Sequence, residues 1–290
     1  LEFRRVLFRS GLFSLGHAAF LGVGAYTQAV LTGMGWPFAL SLACAAGLSA
    51  AVGVVVGLPA LRVKGIYLGM ATLSFGFIVE EVFARWESVT GGNSGKHLVP
   101  PQIAGYSFET TESFYFLCLV IAVVSTLAIL NLLRSPTGRA FVAIRDNDRA
   151  AEGMGIPIFR YKLLSFAISS FYAGFAGALW AYYMVSITTE PFNLALSVEF
   201  IAMVIIGGMG SMPGAIFGAT FITVLNEVLR FATGALMNVG WIAGLGLNMA
   251  PLREFVFGLA IVLFILLEPK GLAELWRIVR SSFRLWPFSY

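Results

Sequence analysis

Long apolar runs are the feature that most restricts what this chain can fold into. They are nearly free of charge and lie at 11–33, 36–61, 65–83, 113–133, 163–184 and 252–268. A helix rises about 1.5 Å per residue, so a run of roughly 17–25 residues crosses the ~30 Å hydrocarbon core of a bilayer. Hydrophobic residues make up 58% of the chain and charged residues 12%, which is outside the range of soluble domains. We therefore predict an all-α, polytopic integral membrane protein.

The distribution of Lys and Arg predicts which loops share a side of the membrane. If the polar stretch at 134–162 is cytoplasmic, alternation of the runs places 62–64 and 270–290 on the same side. These three stretches then hold twelve basic residues, against four in the loops on the other side. Cytoplasmic loops of membrane proteins carry such an excess. The loop at about 84–112 is therefore predicted to be external.

A less regular apolar stretch, near 190–232, is interrupted by helix-breaking residues. Those residues are Gly207, Gly208, Gly210, Pro213 and Gly214. The orientation of the flanking runs requires this stretch to cross the membrane twice or not at all. We therefore predict a descending helix, a break and an ascending helix, which gives about eight membrane segments. A break inside the membrane would line a cavity, and a break at the surface would be a plain helical hairpin; the sequence leaves both open.

The end of the chain, 273–290, predicts an amphipathic helix at the cytoplasmic surface. The apolar positions Trp276, Val279 and Phe283 recur at i, i+3 and i+7, and the basic positions Arg277, Arg280 and Arg284 repeat that spacing one position along. A helix with one apolar and one basic face lies in the membrane interface. This segment is too short and too basic to cross the bilayer.

Motifs of soluble enzymes and metal centres are missing from the sequence. The stretch TGGNSGKH has Thr90 where a phosphate loop needs Gly, and His97 where it needs Ser or Thr. The other histidine, His17, lies in an apolar run, so a histidine metal cluster is not predicted. Cys44 and Cys118 also lie in apolar runs and are interpreted as small core residues. We predict no catalytic residue, no metal, no cofactor and no nucleic-acid partner.

The charged insert, which we define as residues 134–162, is the polar exception in this apolar chain. Its sequence predicts two short helices, and the residues that start, cap or end them are Ser135, Pro136, Asp146 or Asn147, Gly153, Gly155 and Pro157. Helical spacing predicts a modest apolar stripe formed by Phe141, Ile144, Ala151 and Met154. Such a stripe could lie in the lipid interface or dock into the groove of a partner protein. Its small Ala and Gly residues favour docking.

Four segments resemble, in this order, the permease subunits of branched-chain amino acid ABC importers, and the likeness is strongest to the M-type of the two homologous permeases. They read FSLGHAAFLGVGAYT, LPALRVKGIYLGMATLSFG, TGRAFVAIRDNDRAAEGMGIPIFRYKLLSF and VIIGGMGSMPGAIFGA. The resemblance covers about 11–272, the expected transmembrane permease domain. The family commonly has Gln where Leu12 stands and a further helix upstream. The first ten residues, 1–10, are therefore expected to be a non-native head on a truncated gene.

The resemblance implies a role for the charged insert. In the family, a cytoplasmic coupling helix of the permease seats in a groove of the ATP-binding subunit. The family has a characteristic residue pattern in and after this helix. The residues of the charged insert that match it are Arg145, Asp146, Asp148, Ala150, Ala151, Gly155 and Ile156. The implied partners are a homologous permease subunit, two ATP-binding subunits, a solute-binding protein, membrane lipid and a small amino acid. The chain itself would not be an enzyme, because ATP hydrolysis takes place on the other subunits.

The function implied by the resemblance is import of branched-chain, leucine-like amino acids across the bacterial inner (plasma) membrane. A permease for urea, short amides or another amino acid is the alternative within the class. An ion-coupled secondary carrier is the alternative from another class, and it would need an ionisable residue inside the membrane. Our candidates for the translocation pathway are His17, Thr72, Ser74, Glu199, Gly207, Gly208 and Gly210.

Overall fold

The computed structural model describes residues 14–63, 66–103, 106–108, 110–208, 212–237, 249–267 and 271–285, which divide into two units. The helices of the first unit, Leu1–Ser197, are α1 (His17–Gly33), α2 (Phe38–Ala60), α3 (Ile66–Arg85), α4 (Glu87–Thr90), α5 (Thr111–Arg134), α6 (Pro136–Asp146), α7 (Asp148–Gly153) and α8 (Ile158–Met184). Helix α9 (Leu194–Gly207) begins in the first unit and continues into the second, Val198–Tyr290. The second unit also contains α10 (Met212–Met237), α11 (Met249–Leu267) and α12 (Leu272–Leu285).

Five helices are long and apolar enough to cross a membrane within the part of the chain that the structure describes. They are α2, α3 from Tyr67, α5, α8 and the stretch Met212–Ala232 of α10. Each apolar run predicted from the sequence corresponds to a helix, with ends that differ by a few residues. The prediction of an all-α, multi-pass membrane protein is therefore confirmed, whereas the number of eight segments stays a prediction.

Helices α1, α2 and α8 form the core of the first unit, and they touch through residues with little or no side chain. A Cβ atom on Gly24 of α1 would overlap the carbonyl oxygen of Gly174 in α8, and one on Gly177 would overlap the carbonyl oxygen of Leu21. The Ser49 hydroxyl of α2 donates to the carbonyl of Phe20 at 3.1 Å. Without a hydrophobic effect between helices in lipid, such close backbone contact is what holds them together.

A buried hydrogen-bond network adds a polar link between the same three helices. Gln28 of α1 is fully buried, and its side-chain nitrogen donates to Ser41 Oγ at 2.6 Å and to the Tyr182 hydroxyl at 2.9 Å. Ser41 belongs to α2 and Tyr182 to α8. Because a buried polar group is costly without a partner, this network favours one relative position of the three helices.

Short strands join the predicted external loop to the end of α8. Strand β1 (Lys96–His97) pairs antiparallel with β4 (Ser186–Ile187), which follows α8 directly. The Leu98 amide donates to the carbonyl of Val185 at 2.8 Å and extends this contact. A separate hairpin is formed by β2 (Gln102–Ile103) and β3 (Tyr106–Ser107). The described part of the predicted external loop is therefore attached to the segment that directly follows α8.

The second unit contains the glycine break that the sequence predicts. Helix α9 ends at Gly207, and Gly208 has φ of 103°, a backbone angle that glycine adopts readily and other residues rarely do. A Cβ on Gly207 would overlap the carbonyl oxygen of Gly214 in α10, and one on Gly218 would overlap that of Met203. The break therefore lets α9 and α10 pack backbone to backbone. Gly210, one of the predicted pathway residues, lies outside the described residues.

Adding one methyl group at the contact of α1 and α8 tests the close approach of these helices. Gly24→Ala should lower the thermal unfolding midpoint of the detergent-solubilised chain, because overpacking costs about 1–3 kcal/mol. Gly33→Ala is the matched control, since it lies on the same helix with nothing within 4 Å of its Cβ position. Ala favours a helix over Gly by about 1 kcal/mol, so this control should unfold no earlier than wild type. Equal midpoints for both variants would contradict the close contact.

Candidate functional site

The charged insert folds as two short helices with side-chain caps. The Ser135 hydroxyl accepts a hydrogen bond from the Gly138 amide at 3.4 Å, and Pro136 occupies the first turn of α6. At the start of α7, Asn147 Oδ1 accepts from the amides of Arg149 and Ala150, at 3.1 and 3.2 Å. The sequence left Asp146 and Asn147 open as the cap, and the structure selects Asn147.

Glycine and an extended residue set the ends of these two helices. Asn147 has φ of −158° and ψ of 107°, so the chain is extended between α6 and α7. After α7, Gly155 has φ of 83°, a left-handed angle that suits glycine and ends the helix as the sequence predicts. The two helices consequently do not share one continuous helical spacing.

The insert is fixed to the beginning of α8 by an ion pair and by packing. Asp148 Oδ2 pairs with Lys162 Nζ, and the Lys162 side chain is only 17% exposed. Ala151 of α7 has no exposed surface, and Ile144 of α6 is also buried. The rings of Phe141 and Tyr161 meet edge to face, with centroids 6.1 Å apart. The Asp148 side chain is 39% exposed, so water screens the pair in part and its contribution should stay close to that of a surface pair.

The outward surface of the insert carries charged side chains. Arg145, Asp146, Arg149 and Ala150 are exposed, and Arg145 Nε lies 3.5 Å from Asp146 Oδ1. The turn between α6 and α7, from Ile144 to Arg149, surrounds a polar groove of about 320 Å³. This surface is suited to a protein partner whose charges complement it, because exposed charges fix register and discourage wrong partners.

The predicted apolar stripe of the insert is wrong as a single face. Ile144 and Ala151 point into the protein, whereas Met154 is 69% exposed. The physical reason is the end of α7 at Gly153, because Met154 lies beyond it, next to the left-handed Gly155, and no longer follows the helical spacing on which that prediction depended. Of the seven residues that match the family pattern, Ala151 therefore holds the insert in place, while Arg145, Asp146, Ala150 and Gly155 are exposed. Their role as a coupling surface stays a prediction.

Two hydroxyl groups, those of the predicted pathway residue Thr72 and of Ser197, accept hydrogen bonds from backbone amides at or just before the start of α1. Thr72 Oγ1 accepts a hydrogen bond from the Leu15 amide at 3.0 Å, and Ser197 Oγ accepts from the Ala18 amide at 3.1 Å. The first amides of a helix lack partners within that helix, so the Ser197 hydroxyl satisfies the Ala18 amide of α1. The Thr72 hydroxyl of α3 instead holds Leu15, which lies just before α1. The cap of α9 itself is Asn193, whose Oδ1 accepts a hydrogen bond from the Leu196 amide at 3.2 Å.

The other pathway candidates have different surroundings. His17 Nε2 lies 2.9 Å from Ser169 Oγ of α8, and Nδ1 lies 3.2 Å from the carbonyl of Ser14. Ser74 is exposed on α3. Nothing in the sequence pattern pointed to Ser14 or Ser169, because isolated serines in apolar runs carry no periodic signal.

The candidates in the second unit lie on α9. Glu199 Oε1 accepts a hydrogen bond from Asn226 Nδ2 of α10 at 2.8 Å, and Glu199 is partly buried. Gly207 and Gly208 form the end of α9 where it packs on α10. Among the residues that the structure describes, no cluster of three His, Cys, Asp or Glu side chains could hold a metal ion.

These apolar helices, with a capped charged insert attached to one of them, define a multi-pass membrane protein. The chain belongs to the family described as the permease component of branched-chain amino acid transport systems, whose pattern matches residues 5–266. Its family and relatives place it in the inner (plasma) membrane. No solved structure matches the chain significantly.

Individual relatives carry names of transport or import systems. The chain is 36% identical to the high-affinity branched-chain amino acid transport system permease protein LivM of Salmonella typhimurium, in a match that covers 76% of this chain. It spans 58% of the length of that protein. A probable LivM of Methanocaldococcus jannaschii is 26% identical over 80% of this chain and 67% of its own length. The autoinducer 2 import permease LsrC of an Enterobacter species is 27% identical over 72% of this chain and 61% of its own length.

Substitutions at two neighbouring alanines of the insert, buried Ala151 and exposed Ala150, test which residues hold α7 in place. Ala151→Asp should bury an unpaired carboxylate and unfold α7 locally, because burial of an unpaired charge costs several kcal/mol. Limited trypsin digestion should then cleave after Arg145 and Arg149 at least about ten-fold faster than in wild type. Ala150→Asp, one position away and exposed, is the control and should be cut at the wild-type rate. Equal cleavage of the two variants would show that Ala151 does not hold α7.

Proposed function

We propose that this chain is the membrane-spanning permease subunit of an ATP-driven importer for branched-chain, leucine-like amino acids. The observation that carries this proposal is the family match over residues 5–266, together with 36% identity to LivM of Salmonella typhimurium. In the proposal the chain is not an enzyme, and ATP is hydrolysed on two separate ATP-binding subunits. A homologous permease subunit completes the pathway, and a solute-binding protein delivers the amino acid from outside.

The exposed surface of the charged insert is the proposed contact with an ATP-binding subunit. Arg145 and Arg149 would set the register of docking, and the small Ala150 would allow close approach. The support for this role is the attachment of the insert to α8 through Asp148, Lys162 and buried Ala151. A partner that moves the insert would therefore move the beginning of a membrane helix with it.

Some of the proposed pathway residues already have hydrogen-bond partners within the protein, whereas one has an exposed side chain and the glycines have none. Thr72 and His17 already have partners at the start of α1, so they would act on the pathway by positioning that helix. Ser74 is exposed and could meet the substrate directly. Gly207 and Gly208 would allow the close packing of α9 and α10, and Gly210 is retained from its place in the glycine-rich break.

Substrate identity is the part of the proposal with alternatives inside the family. LsrC of the Enterobacter species is named for autoinducer 2 import, although it belongs to the same range of relatives. Urea, a short amide or another amino acid is therefore the second candidate cargo. The greater identity to LivM, 36% against 27%, favours a branched-chain amino acid.

An ion-coupled carrier is the rival mechanism, and Glu199 is the residue on which it would depend. A coupling ion needs an ionisable group inside the membrane. The carboxylate of Glu199 already accepts a hydrogen bond from the Asn226 amide at 2.8 Å. This pairing explains a partly buried carboxylate as a contact between α9 and α10, so the carrier mechanism gains no specific support.

The proposed importer predicts uptake that depends on ATP and on the insert surface. With its partner subunits and binding protein in proteoliposomes, the chain should take up labelled leucine only when ATP is present at the ATP-binding subunits. Ala150→Asp should lower leucine-stimulated ATP hydrolysis and uptake about ten-fold or more, since losing a good interface contact costs roughly 1–2 kcal/mol. Insertion and trypsin resistance of this variant should stay as in wild type.

Gln102→Asp is the control for that experiment, because it adds the same charge at an exposed position of β2, in the predicted external loop. It should leave ATP hydrolysis and uptake unchanged. Wild-type rates in Ala150→Asp would remove the insert from the coupling mechanism. Leucine uptake without ATP would contradict the importer, and uptake of urea or amides instead of leucine would contradict the cargo.

The orientation of the chain can be measured with single cysteines. Both native cysteines, Cys44 and Cys118, are partly buried and should be replaced by Ser first. Ser94→Cys should then react with an impermeant maleimide added outside spheroplasts, whereas Ala150→Cys should react only after the membrane is opened. Both positions are exposed, so access to reagent and not burial decides the result. The reverse labelling pattern would overturn the predicted orientation.

A further inference from the structure

An apolar groove runs between the membrane helix α10 and the amphipathic helix α12. Its volume is about 560 Å³. Helix α10 contributes Phe217, Phe221, Val224 and Val228, which follow one another at spacings of four, three and four and so share one face. Trp276 and Val279 of α12 form the opposite wall. The α10 face covers eleven residue steps, about 16 Å along the helix axis.

Both walls of this groove are anchored within the second unit. The rings of Phe217 and Trp276 have centroids 5.8 Å apart, so the two helices are in contact at that point. Leu272, the first residue of α12, packs against the buried cluster of Ala202, Ile206 and Ile222. The groove is therefore a concave feature of the fold and not only the open side of one helix.

Three charged residues of α12 lie next to its groove residues in the sequence, and Arg280 is also a neighbour of Trp276 on the helix surface, four positions on. On α12, Arg277 donates to Glu274 at 2.6 Å, and this hydrogen bond raises the pKa of Arg277. Arg280 is exposed, one position beyond the groove residue Val279, and has no ion-pair partner among the residues that the structure describes. An arginine in that position can bind a phosphate with two parallel hydrogen bonds.

We propose that this groove binds one acyl chain of an anionic phospholipid, with the lipid phosphate held by Arg280. A wall of apolar side chains rejects an amino acid or another small polar ligand, because the charges of that ligand would stay unpaired. An acyl chain has no charge or polar group that such a groove would leave unpaired. Arg280 then favours a lipid with net negative charge, since each Lys or Arg near the surface contributes about 1 kcal/mol to binding anionic lipid.

Trp276 makes the site measurable, because it lies in the groove. The full chain in liposomes is exposed to phosphatidylglycerol or phosphatidylcholine with brominated acyl chains, which quench tryptophan on contact. The chain has 6 Trp residues, so the Trp276 signal is the difference between wild type and Trp276→Phe. Phosphatidylglycerol should half-quench Trp276 at about one fifth of the mole fraction that phosphatidylcholine requires.

Two pairs of variants separate a binding site from ordinary contact with the bilayer. Arg280→Gln should remove the preference for phosphatidylglycerol, and Arg62→Gln, also exposed, should keep it. Val224→Phe should fill the groove and reduce quenching by both lipids at least two-fold. Val262→Phe is the control, because Val262 is 54% exposed on α11 and is not a groove residue.

Three results would overturn the lipid site. The first is equal quenching by both lipids in wild type, and the second is quenching that Val224→Phe leaves unchanged. The third is loss of Trp276 quenching when the partner subunits assemble with the chain, which would show that a protein occupies the groove. None of these measurements depends on transport, so failure of the proposed importer function would leave this test intact.

Discussion

Backbone contact between α1, α2 and α8 is the interaction on which the rest of the first unit depends. Gly24 and Gly177 stand where any side chain would overlap a neighbouring carbonyl group, and a side chain on Gly174 would overlap Ser49 of α2. In lipid, where apolar side chains gain nothing by leaving water, dispersion at this short distance supplies the attraction between helices. The hydrogen bonds of Gln28 then restrict the three helices to one register.

The stability of the charged insert depends on this contact indirectly, because the insert packs against α8, one of the three helices. Its two helices are too short to be stable alone, since helices under about twelve residues are marginal in water. They obtain their stability from caps at Ser135 and Asn147 and from packing against α8. The residues that hold the insert and those that it presents to a partner are consequently different, even where they are neighbours, as Ala150 and Ala151 are.

Sequence reasoning predicts the membrane helices well because length and apolar character are local properties. It also predicts the cap and glycine positions of the insert, since Asn147 and Gly155 act within a few residues of themselves. It fails for contacts between distant segments. Ser197 satisfies the amide of Ala18, 179 positions away, and no spacing rule links the two. Likewise the helical spacing placed Met154 on the same stripe as Ala151, but Met154 lies past the end of α7 and is exposed.

The strand pair β1–β4 gives α8 a second attachment at its far end. This helix has 27 residues, so it extends about 40 Å, and its beginning carries the charged insert. The loop at 84–112 joins its other end through Lys96, His97 and Leu98. Helix α8 thus connects the loop at 84–112, at one of its ends, with the charged insert at the other. Any shift of this helix along or about its axis displaces both ends at once, without a relay of side chains between them.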